Sequence, residues 1–475
     1  MNLPAAIRVA AVSLALLCSQ APAAPTFVNA LVIEGSSVDA SGGTAVNDGR
    51  LGFFSDLYYD PRRDEWWALS DRGPGGGTLP YETRVHRFRI DVDRRSGAIG
   101  NFQVIKTFIF RAGGAALDGF APAEGGELGF AFDPEGIAID PRTGHLYVSD
   151  EYGPTLAEFT HHGRLIRRFE TPAGLVPRNA ATTAANFAND NGNTAGKRSN
   201  RGFEGLAISP DGRHVWAMLQ SAMLDEGGGN GTLVRLVRFD THTARATGQF
   251  AYRLEGSSQG RGISALVALN ENEFLVLERN NRGLGVDGNL AAPNKKVFRI
   301  SLEGATDVSN VDLDDPAAVF TPVRKDAATP WLDLAAATPS GDAQTTALGP
   351  WVPEKWEGLA IGPRLADGSH LVLAGTDNDY SVTQNGSGVQ FDVYFKADGS
   401  PVRIQCDIGT RQNCSAVNAD GSPGGALPAT FDTSGYRLIP GVLHAYKASA
   451  ADLAGYKVPG RPHRDGHRGD DDRRP

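Results

Sequence analysis

One short phrase recurs along this chain and limits its fold more than any other feature. Residues 133–141 read Asp-Pro-Glu-Gly-Ile-Ala-Ile-Asp-Pro, residues 202–210 Gly-Phe-Glu-Gly-Leu-Ala-Ile-Ser-Pro, and residues 355–363 Lys-Trp-Glu-Gly-Leu-Ala-Ile-Gly-Pro. Each is followed by a turn and a second apolar run, at 145–150, 214–219 and 370–375. Weaker copies begin at Ser55 and Ser264 and continue at 65–71 and 273–278. A unit of two short apolar strands joined by Asp-Gly or Thr-Gly is a tight hairpin. Alternating third strands follow at 85–90, 233–239 and 296–300, and a fourth at 249–254. Short antiparallel strands in repeated sets of four predict an all-β fold, a β-propeller of five or six blades. A β-sandwich would not require the same hairpin five times. The outlying strand 27–33 is expected to close the ring on the last blade. Stretches near 172–202, 283–295, 304–350 and 380–435 make the repeats longer than a plain blade and read as long loop insertions.

The ends of the chain differ in composition from the repeats. Residues 1–23 carry Arg8, an apolar run over 9–17 and the small residues before Ala24. This is the order of a cleaved signal peptide, and the apolar run is far shorter than the ~20 residues that span a bilayer. The propeller is expected over 24–456, and the charged stretch 457–475 as a disordered tail. The formal charge is −9, and loss of Arg8 with the leader makes it −10. An acidic chain lacks the basic face that nucleic acid requires. The chain is therefore expected to act in the periplasm or outside the cell, as a monomer without a membrane span. After cleavage only Cys406 and Cys414 remain, and in an oxidising compartment they are expected to form a disulfide.

The chemistry is expected at one mouth of the ring. In an antiparallel hairpin the start of the first strand lies beside the end of the second. This brings Glu135, Glu204 and Glu357 near Asp150, Glu151, Asp377 and Asp379. Packed carboxylates repel unless a positive charge sits among them, and Ca²⁺ prefers oxygen ligands. Glu135, Asp150, Glu204, Glu357 and Asp377 are the expected cation ligands. Arg72, Arg279 and Arg282 are placed to grip an anion, and Glu151 and Asp379 are the candidate catalytic acids or bases. The same carboxylates have a purely structural alternative, accepting backbone N–H bonds between blades. Gly256-Ser-Ser-Gln-Gly260 matches the G-x-S-x-G pattern, but no helix follows to make a nucleophile elbow.

The Glu-Gly-[Ile/Leu]-Ala-Ile phrases, with Tyr-Val-Ser-Asp-Glu-Tyr-Gly at 147–153 and Gly-Thr-Asp-Asn-Asp-Tyr-Ser at 375–381, resemble the phytase-like family described as "esterase-like activity of phytase". The likeness runs over roughly 45–450. It implies a propeller, an exported protein, and hydrolysis of a phosphate or carboxyl ester; propeller phytases hold several Ca²⁺ ions with carboxylates. The reading is a divalent-cation-dependent hydrolase of a small anionic ester. The alternative is a non-catalytic propeller that binds a ligand or partner around structural calcium.

Overall fold

Each hairpin of the repeat forms the first two strands of a sheet, and in sheets 1 to 3 the four strands lie side by side in chain order. The computed structural model describes residues 24–42, 49–336, 338–385 and 388–460. The expected leader and the tail beyond Gly460 lie outside the described residues. Sheet 1 contains Asp56–Asp60, Glu65–Leu69, Arg84–Val92 and Ile99–Ile109; sheet 2 contains Pro134–Ile139, Leu146–Asp150, Thr155–Phe159 and Leu165–Arg168. Sheet 3 contains Phe203–Ile208, His214–Leu219, Leu233–Asp240 and Arg245–Arg253. Sheet 4 contains Arg261–Ala268, Glu273–Asn280 and Lys295–Ser301, edged by the short strands Arg324–Lys325 and Leu332–Asp333.

Sheet 5 shows how the chain closes. Its order is Lys355–Arg364, His370–Asp377, Gly441–Ala448 and then Thr26–Ile33, so the first described strand is the outer strand of the last sheet. The ends are thereby locked together by backbone hydrogen bonds, as the lone sequence strand suggested.

The first strands of the five sheets pack in a cycle, sheet 1 on 2, 2 on 3, 3 on 4, 4 on 5 and 5 on 1. Side-chain packing joins them, helped by isolated backbone bonds such as Ile263 N–H to Gln220 O (3.0 Å) and Phe54 N–H to Thr376 O (2.8 Å), giving a propeller-like all-β arrangement without a continuous barrel among the described residues. The core lies between consecutive sheets. Trp67 and Val85 of sheet 1 meet Ile137 and Val148 of sheet 2, and Trp216 of sheet 3 meets Phe274 of sheet 4 with ring centres 5.1 Å apart. Leu275 of sheet 4 shares a cluster with Trp356 of sheet 5, and Leu373 of sheet 5 one with Phe54 and Trp66. Each fully buried Leu or Phe contributes roughly 1.5–3 kcal/mol, so every inter-sheet seam carries its own share of the stability.

Two expectations change here. The stretch 380–435 is largely an inserted sheet, with strands Val382–Asn385, Val389–Lys396, Arg403–Asp407, Ser415–Val417 and Pro423–Ala426, and Tyr436–Leu438 pairing with the second of these. Tyr394, Ile404 and Tyr436 pack with the disulfide-bonded Cys406 and Cys414, giving this sheet a small core. The Gly, Asn and Ser residues that suggested a loop are its turns. The second change concerns 457–460, assigned to the tail. The N–H of Lys457 donates to Leu269 O (2.8 Å) and that of Gly460 to Pro210 O (3.0 Å). Pro459 of this segment and the preceding Tyr456 lie across an apolar hollow lined by Leu57, Leu206, Leu266 and Leu359, at the far end of the first strands from their glutamates. Among the described residues no helix is long and apolar enough to cross a membrane.

Candidate functional site

The repeated Glu-Gly pair is explained by a bulge. In sheets 2, 3 and 5 the register between first and second strands slips at Glu135-Gly136, at Glu204 and at Glu357. A bulge re-aims the side chain that it carries, and all three glutamates line one cavity of about 300 Å³. Gly follows because the next sheet lies too close for a side chain. A Cβ on Gly136 would lie 2.5 Å from Glu204 O, one on Gly205 2.9 Å from Leu266 Cβ, and one on Gly358 2.7 Å from Leu57 Cγ. Sheet 1 has Asp56 at the Gly position. Its Oδ2 accepts the N–H of Ile137 in sheet 2 (2.9 Å), and burial holds this carboxyl well above its ordinary pKa.

Nine carboxylates and four cationic side chains line the cavity. Several are already paired. Arg72 Nη1 reaches Asp133 Oδ2 at 2.8 Å and also bonds Asn200. Arg279 bonds Glu357, and its Nε donates to Ser264 Oγ (2.8 Å). Lys355 Nζ lies 2.5 Å from Asp379 Oδ1 and 3.3 Å from Asp377 Oδ2. Arg201 bonds only Gln220 and the Asn200 carbonyl, so it makes no carboxylate pair among the described residues. Glu151 Oε1 and Glu204 Oε2 are buried without a hydrogen-bond partner. Burial, then repulsion from Asp133, pushes Asp71 up to about 7, and burial with Asp287 pushes Glu354 up to about 7. Glu135 and Glu204 also stand well above the usual range, first through burial and then through neighbouring carboxylates.

Asp379 is set by an uncommon turn. Asp379, Tyr380 and Ser381 have φ of 48°, 55° and 59°, three successive non-glycine residues in the left-handed region. Each costs roughly 1–2 kcal/mol, offset by packing around the buried Tyr380 and by the bond from Asp379 N–H to Asp377 Oδ1 (2.9 Å). The turn brings Asp379 onto Asp377 and Asp71. Two carboxylate triads share Asp71: in Asp71–Asp377–Asp379 and in Asp71–Asp133–Glu135, one oxygen from each residue lies within 4.8 Å of the others. An all-oxygen donor set with unpartnered buried oxygens beside it fits a hard divalent cation.

The expected residues Glu135, Glu151, Glu204, Glu357, Asp377, Asp379, Arg72 and Arg279 thus line one cavity. Asp150 does not join them. Its carboxylate is fully buried and accepts from Asp133 N–H (3.0 Å), Tyr152 N–H (3.1 Å) and Thr155 Oγ (2.9 Å), because the strand pleat turns it away from Glu151. Arg282 lines a neighbouring hollow with Arg261 and Asn289. Asp133, Lys355 and Arg201 escaped the sequence reading, which placed Asp71 at a second-strand end but gave it no ligand role. A signal existed for two of them: Asp133 and Lys355 each stand two positions before a repeat glutamate, on the same strand face. Ser258 of the G-x-S-x-G pattern is buried, donating to Gly231 O (2.8 Å) and accepting from Ala222 N–H (3.0 Å), with no His or carboxylate bonded to it among the described residues.

Fold and site together define an all-β, propeller-like protein with an acid-rich cavity where its sheets converge. The model of the phytase-like family, described as esterase-like activity of phytase, matches residues 49–380, and the chain belongs to that family. It is 26% identical over 336 residues to an "uncharacterized secreted protein" of Arthroderma benhamiae, a match covering 59% of this chain and 64% of that protein. The chain thus spans less than two thirds of that relative's length. Among solved structures, hydrazine synthase of Kuenenia stuttgartiensis is similar at 10% identity and a TM-score of 0.30, over 81% of this chain and 100% of that chain. That likeness is too slight to bear on the chemistry.

Proposed function

We propose that this chain is an exported five-bladed propeller that hydrolyses small phosphate esters with a divalent cation, calcium being the ion that best suits its donors. The five sheets would be the blades. The observation that carries the reading is the excess of nine carboxylates over four cations in one cavity of about 300 Å³, with Glu151 Oε1 and Glu204 Oε2 unpartnered. Export is supported by the leader-like residues 1–23, the Cys406–Cys414 disulfide and the relative described as secreted.

Asp71, Asp133 and Glu135 would hold the cation, with Glu204 and Glu151 beside them. When bound, such an ion supplies Lewis acidity toward a phosphoryl oxygen. Arg201, free of carboxylate partners among the described residues, is the side chain best fitted to grip the anion; Arg72 and Arg279 are engaged by Asp133 and Glu357. Glu151 is positioned as the base that takes a proton from water as the water oxygen bonds to phosphorus. The departing alkoxide takes a proton in turn, and Glu354, pushed up to about 7, retains one near neutral pH.

The internal pairs Arg279–Glu357 and Arg72–Asp133 also favour a second reading, in which the acids lock the blades and the mouth only binds a ligand. Hydrolysis of p-nitrophenyl phosphate and p-nitrophenyl acetate, with calcium or with chelator, separates the two. Calcium-dependent release from the phosphate that is lost in Glu151→Gln supports the enzyme. Turnover of neither substrate, with calcium still raising the melting temperature, supports the binding module.

A further inference from the structure

We propose that Lys355 is a tethered cation filling one of the two carboxylate triads, so that the mouth takes one divalent ion rather than two. The inference rests on the proposal that the mouth binds a cation and adds its stoichiometry. Both triads include Asp71, and in each the ligand oxygens lie within 4.8 Å of one another. In Asp71–Asp377–Asp379 the ammonium of Lys355 already lies 2.5 Å from Asp379 Oδ1 and 3.3 Å from Asp377 Oδ2. Calcium takes oxygen ligands at about 2.3–2.6 Å, so ion and ammonium exclude each other there.

The ammonium is fixed from both sides. Lys355 stands directly opposite Asp377 in the ladder of sheet 5, and the left-handed turn 379–381 folds Asp379 back over the pair. The other triad differs. Its neighbouring cation, Arg72, bonds Asp133 and Asn200 but neither Asp71 nor Glu135. Around Glu135 stand Glu204 and Glu151, 2% and 1% exposed, each with a carboxylate oxygen that has no partner. Unmet acceptors therefore stand beside the Glu135 triad; Glu354 Oε2 is also unpartnered near Asp379, but the Asp377–Asp379 pair itself is neutralised by Lys355 from within the chain.

Calorimetric titration of calcium chloride into the chelator-treated full chain tests this, alongside melting with and without calcium. The wild type is expected to bind one ion, Lys355→Gln two, and Lys355→Arg one. Glu204→Gln is expected to weaken the wild-type site about tenfold or more. Should Lys355→Gln fold only with calcium present, that rescue supports the proposal. One unchanged site in Lys355→Gln, two ions in the wild type, or a Lys355→Gln chain that stays unfolded in calcium while Lys355→Arg folds, overturns it. Those results leave cation binding itself standing, whereas a wild type without heat or melting shift removes both.

Discussion

Gly136 lies so close to the carbonyl of Glu204 that a Cβ at 136 would sit 2.5 Å from that oxygen. One residue of the recurring phrase thus makes room for the next sheet's copy of it, and the cycle of first strands is held at contact distance. Gly136→Ala is expected to part sheets 2 and 3 and cost about 2 kcal/mol or more, since forced overpacking costs roughly 1–3 kcal/mol. Urea unfolding reads the loss, and a stability equal to wild type would contradict the close seam.

Asp56 substitutes a side-chain clamp for that contact. Removing its carboxyl in Asp56→Ala leaves the N–H of Ile137 without its acceptor and opens a buried space. A loss of about 2–3 kcal/mol is expected. Asp56→Asn keeps one acceptor but turns its NH2 toward the other N–H, of Ile137 or Leu57, and should cost about 1 kcal/mol, less than Asp56→Ala. Denaturant midpoints of the two variants distinguish a clamp from a bystander.

Asp71 gives the site a defined response to pH. Its folded pKa of about 7 exceeds the unfolded 3.8, so between these values the folded chain holds the extra proton. Its contribution is complete below pH 4 and lost as pH rises through 7. The buried His86 and His444, each held down to about 3, act in the opposite sense as pH falls below 6.5, so the comparison must isolate Asp71. In chelator, Asp71→Asn should melt close to wild type at pH 4 and several degrees above it at pH 8. Calcium should narrow the gap at pH 8 by stabilising the wild type. A constant gap across pH would remove the role of the Asp71 charge.

Arg201 provides a kinetic prediction. With only Gln220 and a carbonyl to hold it, Arg201→Ala should raise KM for an anionic ester about tenfold while kcat falls much less. The melting temperature should change little. Equal loss in kcat and kcat/KM would assign Arg201 to the transition state instead.

The repeat was legible because its physics is local. Hairpin periodicity, the turn residues and the Glu-Gly pair identified the sheets, and antiparallel pairing placed Glu135, Glu204 and Glu357 at one mouth without coordinates. Asp150 failed that reasoning because the pleat, invisible in composition, sends Asp150 and Glu151 to opposite sides. Asp71 was legible as the second-strand end of a weak repeat, but with Ser55 in place of a glutamate on the paired strand nothing local marked it as a ligand. The left-handed turn at 379–381 carries no glycine to announce it. The inserted sheet was missed because its alternating strand 389–396 carries no copy of the recurring phrase and is flanked by turn residues, so its pattern was outweighed by the Gly, Asn and Ser around it.

Carboxylates brought together from separate sheets are proposed to hold a divalent ion. Crystals soaked in manganese chloride, with anomalous scattering recorded at the metal, test it most directly. One peak is expected within coordinating distance of Asp71, Asp133 and Glu135, and none where Lys355 meets Asp379. A mouth without any anomalous peak, with Glu135 and Glu204 bonded instead to protein groups, would contradict it.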